Sequence, residues 1–419
     1  MKKLNPLITI TLFICFIQGY GQSWVRVNSP TSTTLEYCSF VNQDTGWVIS
    51  ADSVFKTTDG GITWVNQPTP GAPSYVSMNF ESINFINANE GIICSLNIAS
   101  DSAYSKLVGS ILWTNDGGSH WVFKDLGNPN GSLNAKLASS STAYAIDQYG
   151  SCKRTTDSGK TWSACDFTGI YSGGKLFPIN KDTVFFAGLD NFHFIGSVGK
   201  TTDSGANWSV GPVASDTTLN AIYFCNYRRG WVGGYSGQIL YTNNGGLSWV
   251  YTNSTSITTS PITDLAFNDT LEGWGLVYPG KIIHSTDGGI NWSFDFIGTN
   301  PLFSLCFTKP DKIGYAVGDS GRVLKYLPNT AGIQNITNTI SVNLFPNPNT
   351  GKFTAESSLN NKQAILEIYT VFGEKICTTT LSVPQTMIDL TGQPSGVYLC
   401  RLVTPTGKQV WSEKFSISK

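Results

Sequence analysis

The sequence predicts an all-β protein: a seven-bladed β-propeller closed by its own N-terminal strand, followed by a small antiparallel β-sandwich. Three observations predict it. An octapeptide of the form S/T-x-D/N-x-G-x-x-W recurs six times, at a spacing near the roughly 43 residues of a four-stranded blade. The stretches between copies divide into short β-branched and aromatic runs bounded by Gly and Asp turns. Composition agrees: 43 glycines and 12% aromatics against only 13% charged residues suit many short strands rather than helices.

Taken in order, the first element is a secretory signal over residues 1–21. Lys2 and Lys3 form a basic start, Leu7 to Ile17 an apolar run, and Gly19-Tyr20-Gly21 a small-x-small cleavage pattern before Gln22. The apolar run is too short to span a bilayer, and no later segment is long enough, so the chain is not expected to be an integral membrane protein.

The propeller is expected over residues 22–327. The octapeptides end at Trp64, Trp121, Trp162, Trp208, Trp249 and Trp292, and carry Asp59, Asp116, Asp157, Asp203, Asn244 and Asp287 at their third position. The Asp or Asn side chain can bond the backbone ahead of it while Gly supplies a positive φ, so these twelve residues are read as structural turn formers rather than calcium ligands. A seventh unit, built from Phe303 to Phe307, Gly314 to Gly318 and Arg322 to Tyr326, lacks an octapeptide and a fourth strand. Ser23-Trp24-Val25-Arg26 resembles Ser248-Trp249-Val250-Tyr251. Trp24 is therefore expected to open the missing strand and remove the open edge.

Charge and chemistry narrow the function. A net charge of −1 leaves no electrostatic footprint for nucleic acid. The three histidines, His120, His193 and His284, are never spaced as metal-ligand pairs. No cofactor motif and no catalytic residue stand out. Cys152 and Cys165 flank the turn Asp157-Ser158-Gly159-Lys160 symmetrically and form the candidate disulfide, with Cys377 and Cys400 a second candidate pair. Cys38, Cys225 and Cys306 are read as core. A candidate ligand face lies on the turns between second and third strands, opposite the octapeptides. It comprises Asp52, Gln148, Tyr149, Asp190, Phe192, Tyr235, Tyr278 and Asp319, with an insertion from Asn97 to Gly109.

Repeats such as FVNQDTGWVISADSVFKTTDGGITW resemble the photosystem II stability and assembly factors. More broadly, they are similar to the Asp-box (BNR) superfamily, which includes sialidases and xyloglucan-cleaving hydrolases. The resemblance implies the propeller fold. A sialidase would need three arginines clamped on a carboxylate, and the six in this chain are badly placed for that. A xyloglucan hydrolase would need a cleft between two propellers.

After an Asn- and Thr-rich linker at 328–341, residues 342–419 resemble a type A sorting domain of type IX secretion. The carrying motifs are Leu344-Phe345-Pro346-Asn347-Pro348-Asn349-Thr350-Gly351, Pro394-Ser395-Gly396-Val397-Tyr398-Leu399 and the terminal Lys414-Phe415-Ser416-Ile417. That resemblance implies a Bacteroidetes-type source and recognition by the type IX machinery. It also implies a secreted or outer-membrane-surface location reached through the periplasm. The expected function is a surface propeller that binds a glycan or protein. The alternatives are a glycoside hydrolase or lyase, or an assembly scaffold for an envelope complex.

Overall fold

The computed structural model describes residues 24–68, 76–100, 105–128, 134–147, 149–165, 170–190, 195–213, 218–309, 311–328, 342–357, 364–371, 374–381, 385–403 and 409–419. The expected signal peptide, nearly all of the linker, Gln148 and Phe192 lie outside the described residues. The chain divides into two compact units, 1–328 and 329–419. No described helix is long and apolar enough to cross a membrane.

Seven antiparallel sheets are described in the first unit. Sheet 1 runs Tyr37–Phe40, Gly46–Ile49, Val54–Thr57 and Val65–Gln67; sheet 2 runs Phe80–Phe85, Gly91–Ser100, Ser105–Thr114 and Val122–Asn128, with Val76–Ser77 added beside its long second strand. Sheet 3 runs Asn134–Leu137, Ala143–Ile146, Cys152–Thr155 and Ser163–Ala164; sheet 4 runs Ile170–Pro178, Val184–Asp190, Gly196–Thr201 and Ser209–Pro212. Sheet 5 runs Leu219–Phe224, Gly230–Gly234, Ile239–Thr242 and Val250–Tyr251; sheet 6 runs Ile262–Phe267, Gly273–Val277, Lys281–Ser285 and Ser293–Ile297. Sheet 7 takes Leu302–Phe307, Gly314–Gly318 and Arg322–Tyr326, and its outermost strand is Trp24–Arg26, with Trp24 opposite Tyr326. First strands of successive sheets touch in cyclic order, the last touching the first.

An aromatic pattern holds neighbouring sheets together. The Phe ending an inner strand stacks on an aromatic ring of the preceding sheet: Phe40 on Tyr315, Phe85 on Trp47, Phe224 on Phe185, Phe267 on Trp231 and Phe307 on Trp274, with centroids 3.4–4.1 Å apart. Each of five such Phe rings also lies flat over a glycine that opens the second strand. A Cβ added at Gly46, Gly91, Gly230, Gly273 or Gly314 would fall 2.2–2.5 Å from the ring. The recurring Gly-Trp dipeptide thus pairs a bare surface for one Phe with a stacking platform for the next.

The described residues of the insertion at Asn97 to Gly109 are strand on both sides. The second and third strands of sheet 2 stay paired as far as Ser100 opposite Ser105, so these residues lengthen both strands.

In the second unit, Val342–Phe345, Lys352–Ser357 and Gln385–Asp389 form a three-stranded sheet. Lys375–Leu381, Ala364–Thr370, Gly396–Val403 and Gln409–Ile417 form a four-stranded one. Its core includes Phe353, Leu366, Ile368, Tyr398, Leu402 and Phe415. The expectation that Cys377 pairs with Cys400 is corrected here. Both lie opposite Ile368, one on each flanking strand, which puts two strand spacings, roughly 9–10 Å, between them. A disulfide spans less than about 7 Å between Cα atoms.

Candidate functional site

The octapeptide turns are internally satisfied. Asp59 Oδ1 accepts from the Thr57 hydroxyl at 2.8 Å and from the Ile62 and Thr63 amides at 3.0 and 2.8 Å, while Oδ2 accepts from the Thr63 hydroxyl at 2.5 Å. The Thr63 side-chain and backbone bonds hold the Asp59 carboxyl down at about 2. Thr161 does the same for Asp157 and Asn207 for Asp203, each at about 2. Asn244 keeps the geometry without charge, accepting from Thr242 at 2.8 Å and donating to Ser248 at 2.8 Å. Five tryptophans, Trp64, Trp121, Trp249, Trp292 and Trp24, meet the inner-strand Phe of their sheet edge-on, with centroids 5.9–6.3 Å apart and planes crossing at 81–88°. Trp24 therefore occupies the position of the octapeptide tryptophans. Lysines tie the turns across sheets: Lys56 donates to the Gly117 carbonyl at 3.1 Å and Lys325 to that of Gly60 at 3.2 Å.

Of the described residues expected on the ligand face, Asp52, Tyr149, Tyr235, Tyr278 and Asp319 sit on turns between second and third strands, and Asp190 ends the second strand of sheet 4. Tyr149, Tyr235 and Tyr278 are 46%, 49% and 46% exposed. Tyr235 and Asp319 open matching one-turn 3-10 segments whose second residues, Ser236 and Ser320, have φ of 60° and 55°. Tyr278 and Asp319 are also equivalent, donating their amides to the carbonyls of Pro261 and Pro301 at 3.0 and 2.9 Å. Asp319 accepts from the Thr34 hydroxyl at 2.9 Å, which ties it to a cavity of about 290 Å³ lined by Thr34, Glu36, Tyr37 and Phe303. Asp52 is exposed and bonded to Ser50 and Ser53 at 3.1 and 2.9 Å. Asp190 is half-buried.

Two further depressions escaped the sequence reading. One, of about 490 Å³, lies between sheets 2 and 3 beside the octapeptide turns, where Trp113, His120 and Lys160 face it. The other, of about 220 Å³, is lined by inner strands of all seven sheets. Charged residues stand within these short inner strands. Lys175 and Asp264 pair at 3.1 Å, and burial pulls the Lys136 ammonium down against the attraction of Asp264. Near the Tyr37 end, burial pushes the Glu36 and Glu81 carboxyls up, and Glu36 adds to the effect on Glu81. A lone charge inside an apolar strand, as in Asn134-Ala135-Lys136-Leu137, was the available signal. Among the described residues no cluster of His, Cys, Asp and Glu could hold a metal ion.

Cys152 and Cys165 are not joined by a disulfide but lie next to each other: the Cys165 amide donates to the Cys152 carbonyl at 2.9 Å, and the Cys165 thiol together with burial pushes the Cys152 thiol well up. The Cys38 and Cys306 sulfurs touch at 3.3 Å between sheets 1 and 7.

Comparison with known proteins adds the following. The family described as photosynthesis system II assembly factor YCF48 matches residues 18–170 and 200–295. The family described as secretion system C-terminal sorting domain matches residues 343–418. No curated protein matches the sequence. A solved structure described as YCF48 bound to D1 peptide is 23% identical with a TM-score of 0.58, covering 73% of this chain and 97% of that one. YCF48 from Cyanidioschyzon merolae is 19% identical with a TM-score of 0.54, covering 73% of this chain and 99% of that one.

Proposed function

We propose a function on one premise: this chain belongs to the photosynthesis system II assembly factor YCF48 family. It is a cell-surface propeller protein with a secretion sorting tail. In the finer reading, residues 1–21 are a cleaved signal, 22–327 form a seven-bladed propeller completed by the Trp24 strand, and 342–419 address the protein to type IX export. The propeller binds an extracellular ligand through the turns between second and third strands.

One observation carries the binding reading. Tyr149, Tyr235 and Tyr278, from three different sheets, stand about half exposed on turns between second and third strands. Tyrosine offers a large, rigid, amphipathic contact at low entropic cost, which is why it is enriched where proteins bind proteins. Asp52 and Asp319 add acceptors on the equivalent turns, which are fixed by bonds within the chain. The relative solved with a bound peptide favours a polypeptide over a glycan.

The test is to screen the purified protein on peptide and glycan arrays, then to repeat each hit with Tyr149, Tyr235 and Tyr278 changed to Ala. Loss of the hits with an unchanged melting temperature supports the reading. Retention of every hit by the triple variant would place binding elsewhere, and turnover of a glycan hit would turn the protein into an enzyme.

A further inference from the structure

The cavity enclosed by the inner strands has lost most of its acceptors to the backbone. The Phe85 amide donates to Ser39 Oγ at 2.9 Å, the Leu137 amide to Asn84 Oδ1 at 2.9 Å and the Leu176 amide to Asn134 Oδ1 at 3.1 Å. Each bond caps an edge N–H of one sheet with a side chain of the sheet before it. Asp264 is spent as well, on the Leu305 amide at 2.9 Å and on Lys175. What remains turned to the cavity is hydrogen: the Ser39 hydroxyl, the amides of Asn84 and Asn134, and the Lys136 ammonium. Among the described residues, none of these groups donates to a protein acceptor. With Lys175 and Asp264 cancelling, Lys136 is the one uncompensated charge of this lining.

The donors are also aligned. Ser39, Asn84 and Lys136 are each the penultimate residue of their inner strand, on the consecutive sheets 1, 2 and 3, opposite Trp47, Ile92 and Tyr144. The penultimate residues of sheets 4, 5 and 6 are Phe177, Tyr223 and Ala266. One side of the cavity at this height is therefore donors and the facing side is apolar side chain, with the Cys306 thiol of sheet 7 completing the circle beside Cys38.

We propose that this cavity binds a short aliphatic monocarboxylate, its carboxylate on Ser39, Asn84 and Lys136 and its hydrocarbon end toward Phe177 and Tyr223. One ammonium matches one negative charge, whereas a dianion would leave buried charge unpaired. The apolar wall rewards a hydrocarbon end that chloride and phosphate lack. About 220 Å³ accommodates an acid of a few carbons. The field along the cavity favours one end. Glu36 and Glu81 stand near Tyr37, while the Lys309 ammonium lies 5.7 Å from the Tyr223 ring centroid, so an anion is drawn in from the Lys309 side. An anion beside Lys136 would also offset the burial that pulls its ammonium down.

The probe is butyrate, followed by saturation-transfer NMR on the full-length protein at fixed ionic strength. Wild type is expected to transfer saturation to butyrate, with phosphate and chloride failing to compete at equal concentration. Lys136→Met should weaken binding by about tenfold or more, the order a charge-assisted hydrogen bond supplies, and Lys136→Arg should largely keep it. If Lys136→Met does not fold, Ser39→Ala decides, with a several-fold loss expected. Absence of transfer in wild type, displacement by phosphate, or unchanged affinity in the folded Met variant or in Ser39→Ala would each overturn the proposal. The variant lacking Tyr149, Tyr235 and Tyr278 should bind butyrate normally, which separates this site from the turn face.

Discussion

Trp24 Nε1 donates to Asp295 Oδ2 at 2.8 Å across 271 residues of sequence, and Trp274 Nε1 shares the same oxygen at 3.1 Å. One carboxylate of sheet 6 thus holds both the outermost strand of sheet 7 and the second strand of its own sheet. Trp24 is buried between Phe307 and Tyr326, with ring centroids 5.9 and 5.4 Å away. Trp24→Ala should cost roughly 3–5 kcal/mol, a large part of the roughly 5–15 kcal/mol that usually separates folded from unfolded states. Urea denaturation measures it. A midpoint like that of wild type would mean that the strand contributes nothing to sheet 7.

Acid should act through the octapeptide turns. The carboxyls of Asp59, Asp157 and Asp203 lie at about 2 in the folded state against 3.8 ordinarily. A depressed pKa contributes stability that is complete above the unfolded value and drains away as pH falls toward the folded one. The urea midpoint of the first unit should therefore hold down to about pH 4.5 and fall steeply between pH 4 and 2. Asn244→Asp should deepen that fall. A midpoint that does not drop by pH 2 would contradict the assignment.

Removal of residues 342–419 should leave a folded first unit in the periplasm, because those residues supply no strand to its seven sheets. Fractionation with protease accessibility on intact cells reads the outcome. Arrival of the truncated protein at the surface or in the medium would show that export does not depend on the tail.

Oxidation should join Cys152 and Cys165. Exchange with oxidised glutathione would form one sulfur–sulfur bond and release two molecules of reduced glutathione. A non-reducing peptide map should then show the third and outer strands of sheet 3 cross-linked. Complete alkylation of both thiols after that treatment would leave them as packing neighbours only.

The sequence displayed what repeats and hid what does not. Trp24 could be placed because its neighbours copy those of Trp249, and its edge-on contact with Phe307 matches that of Trp249 with Phe224. The tyrosines of the turns were visible because glycines mark each turn. Ser39, Asn84 and Lys136 were not, because what unites them is height in neighbouring strands, and their bonds run from one sheet to the next rather than along a repeat. Cys377 and Cys400 misled for a related reason: an order of strands in which both flank Ile368 has no local signature.

The pairing of Trp24–Arg26 with Arg322–Tyr326 also sets a timetable. Trp24–Arg26 must wait for Arg322–Tyr326, so sheet 7 stays incomplete until almost the whole first unit has left the ribosome. Contacts of such long sequence separation are slow to form, and an unpaired strand edge invites association while it waits. On the proposed export route that delay is useful, since the strand at Trp24–Arg26 cannot lock before the remainder of the first unit has followed it across the membrane.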